Sequence, residues 1–332
     1  MINFTHYIKA RSVADTYLEH IKDLNGTAYK QHFMSRLNLC EGFGHLLQDN
    51  RVKTSLFSFT LKSLTKHLTQ SFDEIWSESM ERDDFGYKKE IKKDTNDDIK
   101  FYFGMTEIIG EVNILIRNGI ELPEGIEKKI NRRFLLRMID IANDDNIMRD
   151  LEGTTYVNGI GGIMCLKRMK NSLVPLKWET INDCYKKIWG YYLTVCKNPT
   201  SWLNSKRKTH NRIYGLTHCV INLTNFYTRF IMNDEIFLSE IKQTINILNN
   251  ILIDDKQNMY KRLNDDTLAE VLLTLKLCGD EYGNERLLAL DALSLRFDST
   301  KLIFREHKST SFKEEIIKNE HTNILYILNV LF

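Results

Sequence analysis

Apolar residues recur at helical spacing over long stretches of this chain, and no proline interrupts them. The three prolines, Pro123, Pro175 and Pro199, all fall between the periodic segments. A residue that removes a backbone donor there marks connections and leaves the helices unbroken. Helical period is clear over 101–118, 126–142, 178–196, 212–231, 236–252, 267–278, 285–295 and 321–331. Earlier, 32–47 and 56–76 read as a first helical hairpin, preceded by an amphipathic segment over about 12–24. Alternation of the strand type bounded by hairpin turns is absent. Connections alternate between short, at 232–235 and 279–284, and long, at 201–209, 254–264 and 297–311, as an array of antiparallel helix pairs requires. The expected fold is all-α, an α/α toroid of about six hairpins, with an open helical-repeat superhelix as the alternative.

Local stop and start signals agree. Asn118-Gly119 and Cys278-Gly279-Asp280 close helices, Asn233-Asp234 opens one, and Asp265 or Asp266 is placed to cap 267–278. The tract 81–98, ERDDFGYKKEIKKDTNDD, mixes both charge signs and reads as a solvated insertion or linker in a single domain spanning 1–332. A chain of 332 residues with 42% hydrophobic content buries a full core. Forty-six basic and 44 acidic residues leave a formal charge of +2, which argues against nucleic acid or an anionic membrane as partner. The start lacks a sustained apolar run, so neither a signal peptide nor a span is expected, and the reading is a cytoplasmic protein. Six cysteines without a C-x-x-C pair are expected to be reduced and buried.

Inside the apolar segments sit isolated polar side chains. Glu107, Gly162, His218, Glu270 and His321 follow one another at intervals of 51–56 residues, about one helix pair per step, as if inner helices aimed them at a shared pocket. Tyr214, His218 and Asn222 are four apart and share a helix face. Glu270 precedes Val271-Leu272-Leu273 and needs a donor, cation or metal if buried; Asp266 lies one turn before it. Glu320, His321 and Asn323 open the last apolar segment, placing an imidazole and an amide at a helix start. Glu107 and Glu111 form a further carboxylate pair four residues apart.

Two imidazoles and a carboxylate, His218, His321 and Glu270, make a donor set that suits non-haem iron with open positions; zinc with Cys219 is a variant. The same residues suit metal-free acid–base chemistry, and the sequence leaves the two open. Gly159-Ile160-Gly161-Gly162 lacks the residues of a phosphate loop and reads as a tight turn or a close helix contact. Lys206-Arg207-Lys208, with Arg212, is expected in a loop, either solvated or clamping an anionic substrate group. Trp178, Tyr185, Trp189 and Tyr192 read as core.

The segments Tyr214-Gly215-Leu216-Thr217-His218, Leu268-Ala269-Glu270-Val271 and Glu320-His321-Thr322-Asn323 resemble, in order and spacing, an uncharacterised bacterial family classed as a domain of unknown function. The resemblance implies a helical bacterial protein in which these segments belong together, and it carries no reaction. The expected function is an enzyme acting on a small molecule, sugar or peptide side chain. His218, Glu270 and His321 are its acid–base or metal-binding residues, assisted by Tyr214 and Glu107; Asn222, Asp266, Asn323, Glu320 and Arg212 line the substrate. The alternative is a helical scaffold or partner-binding protein in which these groups are satisfied core residues.

Overall fold

A computed structural model of the chain describes residues 4–21, 50–82, 96–146, 154–225, 227, 231, 234–309 and 311–331. The described residues are all-helical apart from two short strands. The helices are α1 (Phe4–Ile21), α2 (Asn50–Thr69), α3 (Phe72–Arg82), α4 (Asp97–Arg117), α5 (Ile126–Lys129), α6 (Arg132–Asn143), α7 (Thr154–Met169), α8 (Trp178–Cys196), α9 (Lys206–Leu223), α10 (Leu238–Lys256), α11 (Asp265–Leu277), α12 (Asn284–Ser294), α13 (Phe312–Lys318) and α14 (Glu320–Leu331). The expected segment 32–47 and most of the charged tract 81–98 lie outside the described residues. No described helix is long and apolar enough to cross a membrane. The chain divides into two compact units, Lys53–Tyr192 and the combination of Met1–Val52 with Leu193–Phe332.

In the unit Lys53–Tyr192, α4 packs against α3, α6 and α7. Asn96 caps α4 by accepting from Asp98 N, with Asp97 and Asp98 in the first turn, and Gly119 leaves it at φ +69°. The Gly159–Gly162 stretch is not a turn; it lies inside α7. Its glycines let α7 approach α4, since a Cβ on Gly159 would land 2.5 Å from Tyr102 Cζ and one on Gly162 2.8 Å from Ile109 Cγ2. Tyr102 Oη donates to Tyr156 O at 2.6 Å and Asn113 Nδ2 to Gly162 O at 2.9 Å, tying the same crossing. The aromatics Tyr185, Trp189 and Tyr192 are core as expected, while Trp178 is half-buried.

Two expected continuous helices are broken. The stretch 56–76 divides into α2 and α3 because Ser71 and Glu74 form a reciprocal capping box: Glu74 N donates to Ser71 Oγ at 3.2 Å, and Ser71 N to Glu74 Oε2 at 2.6 Å. The stretch 126–142 divides at Asn131, whose side chain accepts from Phe134 N at 3.0 Å and starts α6.

In the other unit, α11 packs against α9, α12 and α14, and α14 against α1. Every residue of α11 from Thr267 to Leu277 is buried, the condition of a helix enclosed on all sides. Its cap is Asn264, which accepts from Thr267 N at 2.8 Å, instead of Asp265 or Asp266. That frees Asp265 to pair with Arg296 at 2.6 Å and Asp266 to face its neighbours. The helix closes at Gly279, φ +94°, where Asp280 N donates back to Leu275 O at 2.9 Å. Ser205 caps α9, which begins at Lys206, six residues before the expected start of the periodic segment, so Lys206-Arg207-Lys208 lies in the first turns of a helix and not in a loop. The expected loop 297–311 contains an antiparallel ribbon, β1 (Phe297–Asp298) and β2 (Ile303–Phe304), with Phe297 opposite Phe304.

Candidate functional site

Three helices of the unit that holds Leu193–Phe332 bring one polar cluster together: α9 through Tyr214, Thr217 and His218, the start of α11 through Asp266 and Glu270, and the start of α14 through His321 and Thr322. Asp266 is the hub. Tyr214 Oη donates to its Oδ2, while His321 Nδ1 at 2.7 Å and Thr322 Oγ1 at 3.0 Å meet its Oδ1. One turn along α11, Glu270 Oε1 accepts from Thr217 Oγ1 and lies 3.7 Å from His218 Nε2. Tyr214 also stacks on imidazoles, with centroids 4.1 Å from His210, 6.1 Å from His218 and 6.5 Å from His321, at interplanar angles of 24–30°.

Exposure grades outward across the cluster. The Glu270 side chain is fully buried, whereas His218, Asp266 and His321 retain 13%, 22% and 25% of their side-chain exposure. The titratable groups divide accordingly. Burial pushes Glu270 up to about 8, against the opposing pull of His321 and the Thr217 hydrogen bond. Burial pushes His218 down to about 3, helped by the charges of His321 and His210, and His210 down to about 4. His321 moves the other way, to about 9: burial opposes its charge, but Asp266, in contact and hydrogen bonded, outweighs burial, with Glu270 and Glu320 assisting. Asp266 is lowered because His321, Thr322 and His210 together outweigh its desolvation. At neutral pH the cluster therefore holds a protonated carboxyl beside a neutral imidazole, and next to them an imidazolium–carboxylate pair.

Seven expected site residues meet here or border it: His218, Glu270, His321, Tyr214 and Asp266 form the cluster, Glu320 acts on the His321 charge, and Asn222 fixes the helix beneath. Asn222 Nδ2 donates to His218 O at 2.8 Å and the residue is fully buried, so its role is to support α9 and not to line substrate. Asn323 is likewise withdrawn from the substrate surface: it is buried and bonded to Phe304 N and Phe304 O. Arg212 donates to Val195 O at 3.0 Å and lies over the Trp202 ring at 5.6 Å.

Glu107 belongs to the unit Lys53–Tyr192, and the site is built here without it. In that unit the buried carboxylate is its neighbour Glu111, bonded by Ser63 at 2.9 Å and 3.2 Å from His67 Nδ1, with burial raising it above the usual carboxylate range. No group of three or more His, Cys, Asp and Glu side chains among the described residues is arranged to hold a metal ion. The Cys219 thiol donates to Gly215 O and burial pushes it well up.

Residues that the sequence did not single out include Thr217, Thr322 and Glu306. The two threonines each adjoin a chosen histidine, and their spacing to Asp266 and Glu270 is visible only when α9, α11 and α14 meet. His210 extends the stripe of Tyr214 and His218 by one more turn, a signal present in the i, i+4, i+8 spacing. No protein-family model, curated protein or solved structure matches this chain.

Proposed function

We propose that this cluster is the active site of an enzyme that transfers protons, with Glu270 as general acid and His218 as general base. Its substrate is a small molecule, a sugar or a peptide side chain. The observation that carries the reading is the buried Glu270 carboxyl, held protonated to about pH 8, 3.7 Å from an imidazole held neutral. Two adjacent groups are kept in opposite states, one with a proton to give and one with a lone pair to receive, and a developing negative charge that displaces the burial around His218 would strengthen it as a base.

In one turnover the Glu270 proton passes to a substrate oxygen, and His218 takes a proton from water or from the substrate. Exchange with solvent then returns each group to its starting state. The His321–Asp266 pair, oriented by Tyr214 and Thr322, places an imidazolium where negative charge develops. Hydrolysis, elimination and peptide modification all fit this set. Convergence of the three motif segments on one cluster supports their belonging together in one family of unknown function. The α/α toroid, or an open superhelix in its place, is part of the same proposal and rests on the sequence intervals.

A screen of glycosides, esters and peptides with the purified protein tests this reading. Turnover that falls about 10²–10⁴-fold in both Glu270→Gln and His218→Gln, with melting temperatures kept, is the expected result. Turnover unchanged in both variants would leave the scaffold reading standing.

A further inference from the structure

An acid and a base 3.7 Å apart quench each other if the proton sits on the oxygen that faces the base. Glu270 offers two oxygens, and the structure treats them differently. Oε1 is the one 3.7 Å from His218 Nε2, and it accepts from the Thr217 hydroxyl. Oε2 is buried and has no hydrogen-bond partner among the described residues. The carbonyl oxygen of a neutral carboxyl is the stronger acceptor of its two, so the oxygen that takes an O–H bond is the carbonyl and the proton resides on the other.

Thr217 is held in place to make that choice. It is fully buried in α9, directly before His218 in the chain, and its Oγ1 also reaches Tyr214 O, one turn back, at 3.2 Å. That back-bond and the β-branch fix the side chain, so the hydroxyl stays against Glu270. The other neighbours act on the carboxyl through charge: His321 on α14 favours the anion, and Asp266, whose backbone N donates to Glu306 Oε2 at 3.4 Å, disfavours it. Neither distinguishes one carboxyl oxygen from the other. Among the described residues, Thr217 alone hydrogen-bonds the Glu270 side chain.

We infer that Thr217 is the positioning residue of the acid: its hydroxyl claims Oε1, keeps the Glu270 proton on Oε2 and off the oxygen beside His218, and so leaves the Oε2 hydroxyl to meet a substrate oxygen. The consequence for catalysis rests on the acid–base reading above; the hydrogen-bond assignment stands on the geometry. An O–H buried without an acceptor is a cost that an ether, carbonyl or hydroxyl oxygen of the substrate relieves on arrival. In the transfer the bond from Oε2 to its proton breaks as the bond to the substrate oxygen forms, and the electron pair stays on a carboxylate that keeps the Thr217 hydrogen bond. Without that hydroxyl the proton is free to occupy Oε1 and be shared with His218, which silences both groups at once.

The test uses the full chain with ¹³C-labelled glutamate and ¹⁵N-labelled histidine across a pH series, the Glu270 carboxyl signal being identified by its loss in Glu270→Gln. Thr217→Val keeps the shape and removes the hydroxyl, whereas Thr217→Ser keeps the hydroxyl. Removing a donor to the charged form disfavours that form, so the Glu270 midpoint is expected to rise by about 1 unit in Thr217→Val and to stay within about half a unit of wild type in Thr217→Ser. Where Glu270 is neutral, the His218 ring nitrogen should move in Thr217→Val to the position of one that accepts a hydrogen bond, and stay in place in Thr217→Ser. Thr217→Ala repeats the comparison should the valine variant fail to fold. A midpoint that is unchanged or falls in a hydroxyl-free variant of wild-type melting temperature, or that shifts as much in Thr217→Ser, overturns the inference, as does a His218 signal that stays in place without the hydroxyl. Failure of the acid–base reading shows up separately, in the wild type: a Glu270 that titrates near its usual 4.5 removes the acid, whatever the difference between the Thr217 variants.

Discussion

Asp266 decides the charge state of its neighbours because it accepts from Tyr214, His321 and Thr322 at once. A carboxylate in a cluster this buried is tolerable only when its oxygens are filled and its charge is answered, and His321 does both. Asp266→Asn keeps the shape and removes the charge. His321 then loses the interaction that outweighs its burial, and its pKa is expected to fall from about 9 by about 1–3 units, read from the histidine ring signals across a pH series. A value that stays near 9 would assign the proton to Glu320 or Glu270 instead. Glu270 feels both changes: with Asp266 neutral one cause that raises its carboxyl is gone, and a His321 that has lost its proton no longer pulls it down.

Elements of the fold meet through such residues, and three substitutions separate close packing from open surface. Gly159→Ala drives a methyl into the Tyr102 ring at the α4–α7 crossing and should cost about 1–3 kcal/mol in chemical denaturation. Gly110→Ala on the same α4 meets nothing within 4 Å and should stabilise by up to about 1 kcal/mol. In the other unit, Asn323→Ala strips Phe304 of both side-chain partners and leaves its buried amide unpaired, a loss of about 1–3 kcal/mol; faster hydrogen exchange at Phe304, with His307 held by Asn319 as the control, is the signature. The helices themselves were legible in sequence because apolar period and the turn glycines Gly119 and Gly279 act locally. The breaks at Ser71 and Asn131 were written in equally local capping residues but were masked by continuous apolar period across them. Tyr214, His218, Glu270 and His321 stood out as polar groups in apolar runs, since a buried polar group needs a reason. Asn323, Arg212 and Glu306 could not be sorted in that way. Whether an amide, a guanidinium or a carboxylate serves backbone or substrate depends on a partner distant in sequence, and for Glu306 and Asn323 that partner is reached only through the ribbon at 297–304.

The protein as a whole should record these burials in the pH dependence of its stability. His218 and His210 are held below their usual 6.5, so between about 4 and 6.5 the unfolded chain binds protons that the folded protein refuses, and stability rises with pH through that window. Glu270 is held above its usual 4.5, to about 8, and His321 above 6.5, to about 9. Folded protein therefore keeps protons that the unfolded chain has lost, and stability falls as pH rises, from 4.5 for Glu270 and from 6.5 for His321. Below 6.5 the two depressed histidines together outweigh Glu270; above it Glu270 and His321 act in the same direction. The contribution of these four groups should accordingly peak near pH 6.5 and decline from there to pH 8. Glu270→Gln removes one of the two retained protons, so the decline between pH 6.5 and 8 should lose about half its slope, and the variant should be relatively more stable at pH 8 than at pH 5. Calorimetry of the wild type and Glu270→Gln across this range decides it. Parallel curves would mean that Glu270 is ionised in the folded protein at neutral pH, and the buried carboxyl would then be a base in need of a proton, with His218 its donor.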